Sequence, residues 1–341
     1  VGVGKVQEAL PFFKTALEIN PNIAQYWLSY IDALIKLDRI DDAKAIFDQA
    51  KSNGAKGDPF DQLEKKLEIP TSQNSKTQDP SQAQTKALIS LYNQGHFEQV
   101  LNEASKLLLE FPNSLFLHNI IGASNQGLGK LDEAIEAYKK AINIKPDYAE
   151  AYNNMGVAFK SHSKLEKAIE AYEKAINIKP DYADAHLNMG NAFQQQGRLE
   201  KAVNSFTKAL SVNPDFDEAC LKMGYVLNKQ GKLKEAIQSF KRAITIKPDY
   251  AHAYNLMGNA LTDQDNLEEA IEAYKKAISI EPDYATALAN MGNALQKEGK
   301  LEEAIEAYKK AISIKPDHAE ALNNMGAILM KEGKLTEAIE A

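Results

Sequence analysis

A proline returns every 34 residues through most of this chain, at Pro112, Pro146, Pro180, Pro214, Pro248, Pro282 and Pro316. The sequence around it returns as well. LEEAIEAYKKAISIKPDHAEALNNMG at residues 301–326 is nearly repeated as LDEAIEAYKKAINIKPDYAEAYNNMG at 131–156 and LEEAIEAYKKAISIEPDYATALANMG at 267–292, with relatives starting at Leu165, Leu199 and Leu233. A fixed period of this length marks an array of small units, none of which can bury a core by itself. A chain of 341 residues could otherwise hold two or three ordinary domains, but an array has no such size ceiling.

The unit 149–182 shows how such a sequence folds. At about 100° per residue, Tyr152, Met155, Gly156 and Phe159 share one apolar face of a first helix, A. Leu165, Ala168, Ile169, Tyr172, Ala175 and Ile176 make the matching face of a second helix, B. A glycine inside a helix costs ~0.5–1 kcal/mol. Its return at Gly190, Gly224, Gly258, Gly292 and Gly326 therefore predicts close approach of helix B. Pro180 disfavours helix at the residue before it and should end B. Asp181 is then expected to cap the next A helix. Asp147 with Glu150, and Asp317 with Glu320, have the spacing of a capping box. Each unit is expected to be a helical hairpin. On helix B, Glu136–Lys140, Glu170–Lys174, Glu272–Lys276 and Glu306–Lys310 are i, i+4 pairs of the favourable polarity, suited to a solvated convex face.

Residues 251–284 carry Tyr254, Met257, Gly258, Leu261, Ala270, Tyr274, Ala277 and Pro282. This resembles the tetratricopeptide repeat, W-x2-L-G-x2-Y followed by A-x3-F, A and P. The resemblance covers seven full units and fragments, and is also to long bacterial arrays and to the repeat domain of O-linked N-acetylglucosamine transferase. It implies an all-α fold: a superhelical solenoid of antiparallel helix pairs, stacked right-handedly, with the A helices lining a concave groove. It further implies a non-catalytic scaffold that binds a protein or an extended peptide. The alternative is the substrate-recognition array of a larger glycosyl- or sulfotransferase, with the catalytic domain outside this chain.

Two blocks are expected. Residues 1–68 form a short one: a lone B-type helix over 4–20, a divergent unit over 24–57 with Trp27, Leu34, Ala43, Phe47 and Ala50 at signature positions, and a capping helix from Asp58-Pro59 carrying Phe60, Leu63 and Leu67. Gly4 falls where the repeat places its A-to-B turn. GVGK at Gly2–Lys5 lacks the upstream glycine spacing of a phosphate loop and the Ser/Thr after its lysine. Residues 69–82, IPTSQNSKTQDPSQ, have the composition of a flexible linker. Residues 83–341 form the second block, with a degenerate unit at 81–114, regular units at 115–148, 149–182, 183–216, 217–250, 251–284 and 285–318, and a partial one at 319–341. The chain begins at Val1 without methionine and stops inside a helix B at Ala341, so the parent protein is expected to continue.

Composition narrows the function. The net charge is −7 with 26% charged residues, the signs interspersed, which argues against a nucleic-acid partner. No apolar run approaches the ~18 residues of a membrane span, and a cytoplasmic setting is expected. The single cysteine, Cys220, allows no intrachain disulfide and fits a reducing compartment. The six histidines are scattered through different units, and HExxH, CxxC, GxSxG and GxGxxG are absent. No metal, cofactor or catalytic site is expected. His118 and His186 share a core position with Tyr152 and Cys220.

The informative surface is the other side of helix A. With positions counted from the start of each unit, 4, 7, 8 and 11 face helix B, and 2, 5, 6, 9, 12 and 13 are expected to face the groove. Position 6 is asparagine at Asn154, Asn188, Asn290 and Asn324, and position 9 at Asn191, Asn259 and Asn293. Asparagine is a poor helix former in mid-helix. It offers both a donor and an acceptor, so a ladder of it can pair with an extended peptide backbone whatever its sequence. These seven residues are the candidate peptide-binding site. Tandem duplication of a solvated face is the competing explanation, and Ile120, Lys222 and Leu256 interrupt the position-6 row. Position 2 is often acidic (Glu150, Asp184, Glu218, Glu320), and positions 12 and 13 carry Lys160, Lys229, Lys297 and Lys331. Such a polar groove suits a peptide better than an apolar small molecule.

Overall fold

The structure, a computed structural model, describes residues 3–37, 39–57, 59, 60, 63, 79–331 and 333. Among these residues there are eighteen helices and no strand. The chain is all-α and divides into two compact units, Val1–Gln84 and Thr85–Ala341.

In the first unit, helices Val3–Ile19, Ala24–Lys36 and Ile40–Ser52 pack around Trp27, Ile31, Leu34, Ala43, Phe47 and Ala50. Gly4 lies inside the first helix and not in a turn, because that helix already starts at Val3. Phe60 is buried against Phe47 with ring centroids 6.2 Å apart. Of the expected capping helix only residues 59, 60 and 63 are described; the rest of it, the linker up to residue 78 and the expected helix B of the last hairpin, residues 334–341, lie outside the described residues.

The second unit repeats one hairpin. In residues 149–182, helix A spans Ala149–Ser161 and helix B spans Leu165–Ile178. Ala151, Ala158, Ala168, Tyr172 and Ala175 are buried at their interface. The glycine of helix A explains the closeness. A Cβ added to Gly156 would stand 2.6 Å from the Tyr172 ring, and one on Gly190, Gly224, Gly258 or Gly292 would stand 2.5–2.7 Å from Phe206, Phe240, Tyr274 or Tyr308. Each glycine is the socket for one aromatic ring of helix B.

Helix B stops where the proline requires it to. Lys179, just before Pro180, leaves helical geometry at φ −130°, ψ 88°, and Lys145, Asn213, Lys247, Glu281 and Lys315 do likewise. The aspartate after the proline, however, does not cap helix A. It stays exposed inside a turn, closed at Pro180 by the Tyr182 N–H donating to the Lys179 carbonyl at 3.1 Å. The N-cap is the following aromatic residue, Tyr148, Tyr182, Phe216, Tyr250 or Tyr284, with no side-chain capping bond. Two other occupants of that slot do cap: Ser114 accepts from Leu117 N–H at 3.2 Å, and His318 Nδ1 accepts from Ala321 N–H at 3.4 Å.

The ion pairs on helix B also differ from expectation. Glu136 pairs with Lys139 at 2.7 Å and Glu272 with Lys275 at 2.8 Å, both at i, i+3. Lys174 lies 5.6 Å over the Tyr152 ring of its own unit's helix A.

Units stack so that consecutive A helices touch, while consecutive B helices stand further apart. That asymmetry curves the array and puts the A helices on its inner side.

Candidate binding groove

All seven candidate asparagines are half-buried on the inner side, but they do not simply face solvent. The position-6 amides donate backwards, across the unit boundary. Asn154 Nδ2 donates to Asn119 Oδ1 at 3.0 Å, and Asn188 Nδ2 to Asn153 Oδ1 at 3.0 Å. Asn290 Nδ2 donates to both Asn255 and Asn259 Oδ1 at 3.0 Å, and Asn324 Nδ2 to Asn293 Oδ1 at 2.8 Å. The ladder is therefore a set of clips between neighbouring A helices.

Position 5, expected to face the groove, belongs to that seam. Asn153, Leu187, Leu221, Asn255 and Ala289 are at most 5% exposed. The next unit's helix A covers them, which a single-helix projection cannot show. The pair of adjacent asparagines at 153–154, repeated at 323–324, is the signal that could have revealed it: one member accepts from the unit after, the other donates to the unit before.

Position 9 reaches down instead of across. Asn259 accepts from the Tyr274 hydroxyl at 2.8 Å, and Asn293 accepts from Tyr308 at 2.7 Å. Position 12 supports the same hydroxyls, with Thr262 Oγ1 3.2 Å from Tyr274 Oη and Gln296 Oε1 3.0 Å from Tyr308 Oη. These tyrosines and their position-12 partners were not anticipated. Asn293 Nδ2 also donates to Glu320 at 2.9 Å. Asn191 lies half-buried in the same row.

The structure brings four of the seven asparagines to one place. Asn259, Asn290, Asn293 and Asn324 line a cavity of about 560 Å³ with Tyr274 and Lys297. Its wall leaves complementary groups available. Among the described residues, the Asn259 amide nitrogen and the Asn290 carbonyl oxygen have no hydrogen-bond partner. Asn154, Asn188 and Asn191 lie further back along the groove, separated from this cavity by the unit that carries Lys222 at position 6.

Two of the histidines in A helices are buried structural residues. His118 and His186 are buried, and each places Nε2 within 2.9–3.0 Å of the carbonyl of the turn proline six residues earlier. Trp27 Nε1 donates to the Pro21 carbonyl in the same way. Cys220 is a free, fully buried thiol, its pKa pushed up by burial.

A TPR repeat family model matches residues 128–163, 158–197, 224–265, 258–299 and 292–333, and tetratricopeptide repeat models match 183–216 and 1–67. The chain belongs to the tetratricopeptide-repeat family. Its solved neighbours agree. YrrB, described as a TPR protein with an unusual peptide-binding site, superposes with a TM-score of 0.50 at 29% identity, over 56% of this chain and 98% of that one. The C-terminal part of a TPR repeat-containing protein from Cytophaga hutchinsonii gives 0.58 at 16% identity, over 70% and 98%. PilF from Pseudomonas aeruginosa gives 0.54 at 18%, over 62% and 96%. The last two speak for the fold alone. No curated protein matches the chain. The TPR fold and the YrrB likeness support a protein-interaction scaffold, and TPR arrays are typically non-catalytic. Among the described residues, no helix is long and apolar enough to cross a membrane.

Proposed function

We propose that this TPR array holds an extended polypeptide segment in its groove, against the A helices of residues 251–324. The observation that carries the reading is the unbonded pair in the cavity wall, the Asn259 NH2 and the Asn290 carbonyl. A peptide unit presents one acceptor and one donor, and these two groups complement it without reading its side chain. The remaining valences of the same asparagines are used within the protein, which holds the free groups in place before a ligand arrives and lowers the ordering cost of binding. The family relationship to YrrB, described as having a peptide-binding site, points the same way.

The test is site-resolved. A photo-crosslinking amino acid replaces Lys297 in the full chain, and another replaces the exposed Lys309 of a B helix. Both variants are irradiated with a pool of random unstructured peptides. The proposal expects saturable crosslinking at 297 that unlabelled peptide competes away, and little at 309. Equal labelling at the two sites would overturn it.

A further inference from the structure

Two opposite charges stand in the wall of the cavity that holds the unbonded asparagine groups. Asp263 and Lys297 line it from the C-terminal ends of successive A helices, Ala251–Asp263 and Ala285–Glu298. Both are exposed, and among the described residues neither has an ion-pair or hydrogen-bond partner. They occupy the same position, 13, of two adjacent units. Duplication does not account for the carboxylate, because that position is Lys229 in the unit before and Lys331 in the unit after. One edge of the cavity is therefore negative on the earlier unit and positive on the later one.

The unbonded amide groups are ordered along the same direction. The free NH2 belongs to Asn259, on the earlier helix, and the free carbonyl to Asn290, on the later one. In an extended chain, one residue turns its own N–H and C=O to the same side. A residue seated across the two asparagines gives its N–H to Asn290 and receives the Asn259 NH2 on its C=O. The N–H comes first along a chain. The N-terminal side of the ligand therefore points toward residues 285–318, and its C-terminal side toward 251–284. The residues before and after the seated one share a face and stand ~6.5–7 Å apart. Packed helices lie ~8–10 Å apart, and flexible glutamate and lysine side chains span the difference.

We propose that this cavity reads the order of charge along the peptide: an acidic residue, any one residue, then a basic residue. The acidic side chain meets Lys297 and the basic one meets Asp263. The inference rests on the groove holding a peptide and adds a direction to it, antiparallel to the array. A peptide with the reverse order sets like charges against each other at both ends.

Two pools of short random peptides are made from otherwise uncharged residues, one with a fixed central Glu-x-Lys and one with Lys-x-Glu. Their composition and net charge are the same, so only the order differs. Both are passed over immobilised full-length wild type and over the double variant Asp263→Lys, Lys297→Glu. Wild type is expected to retain the Glu-x-Lys pool about fivefold better, two exposed attractions exchanged for two repulsions. The preference should fade at about 1 M salt, where the screening length is ~3 Å. The double variant exchanges two exposed, unpartnered side chains, so its melting temperature should match wild type, and its preference should invert to Lys-x-Glu. Equal retention of the two pools by wild type, a wild-type preference for Lys-x-Glu, or a preference that salt or the exchange leaves unchanged would overturn the charge order and leave the groove standing. Retention of neither pool by wild type would overturn both.

Discussion

Glycine occupies the A-to-B turn in the left-handed region at Gly95, Gly129, Gly197, Gly231 and Gly299, but Ser163 (φ 58°) and Asp265 (φ 64°) take that place in two units. A side chain there costs roughly 1–2 kcal/mol, less for aspartate than for serine. No neighbouring atom lies within 4 Å of a Cβ at the glycine turns, so backbone strain is the only term. Ser163→Gly is expected to gain about 1 kcal/mol in urea unfolding, and Asp265→Gly less; a loss at Ser163 would contradict this. The asparagines show where single-residue reasoning ends. By helix propensity alone, Asn290→Ala should stabilise by a few tenths of a kcal/mol. In the structure it removes the donor that satisfies Asn255 Oδ1, on a residue only 3% exposed. An orphaned buried acceptor costs about 1–3 kcal/mol, so the net prediction is destabilisation by about 1–2 kcal/mol. The types and spacing of these residues were legible in the sequence. Their partners were not: the position-6 amides donate to asparagines 31 or 35 residues away on another helix.

At the scale of the element, the hairpin was readable because its determinants are local. The apolar stripes, the glycine and the proline each act within one unit, and helix B ends two residues before the proline in all six regular units. The N-terminus of helix A was misread for a physical reason: the Pro-Asp step is spent on the turn, and the helix begins one residue later, at an aromatic N-cap. The glycine socket yields a sharp prediction. Gly258→Leu must displace the Tyr274 ring, which Asn259 and Thr262 hold by its hydroxyl. Overpacking of this kind costs ~1–3 kcal/mol or more. Units in an array are stabilised by their neighbours in series. Calorimetry should therefore show the single transition broaden or split, with residues 85–250 melting apart from the rest. A uniform shift or an unchanged trace would mean that the ring can move without cost.

At the scale of the molecule, the period foretells an array, but the curvature depends on how units pack. Touching A helices bend the stack until Lys160 and Lys222, 62 residues apart in sequence, share one electrostatic neighbourhood. The same bend gathers Asn259, Asn290, Asn293 and Asn324 around one cavity, although the sequence presents seven equivalent-looking candidates. The central claim is that this cavity holds a peptide through the groups left unbonded there. Replacing several asparagines by alanine tests it poorly, because the inter-unit clips are lost too. Asn259→Asp separates the two roles: its oxygens still accept from Tyr274 and Asn290, while the free NH2 becomes an acceptor that repels a peptide carbonyl. The deciding measurement is calorimetric titration of wild type and Asn259→Asp with one peptide selected from a random pool on the wild type, with a thermal melt of each protein beside it. The account predicts matching melts and binding at least about tenfold weaker in the variant, one lost hydrogen bond plus the repulsion. Equal affinity with matching melts would contradict it.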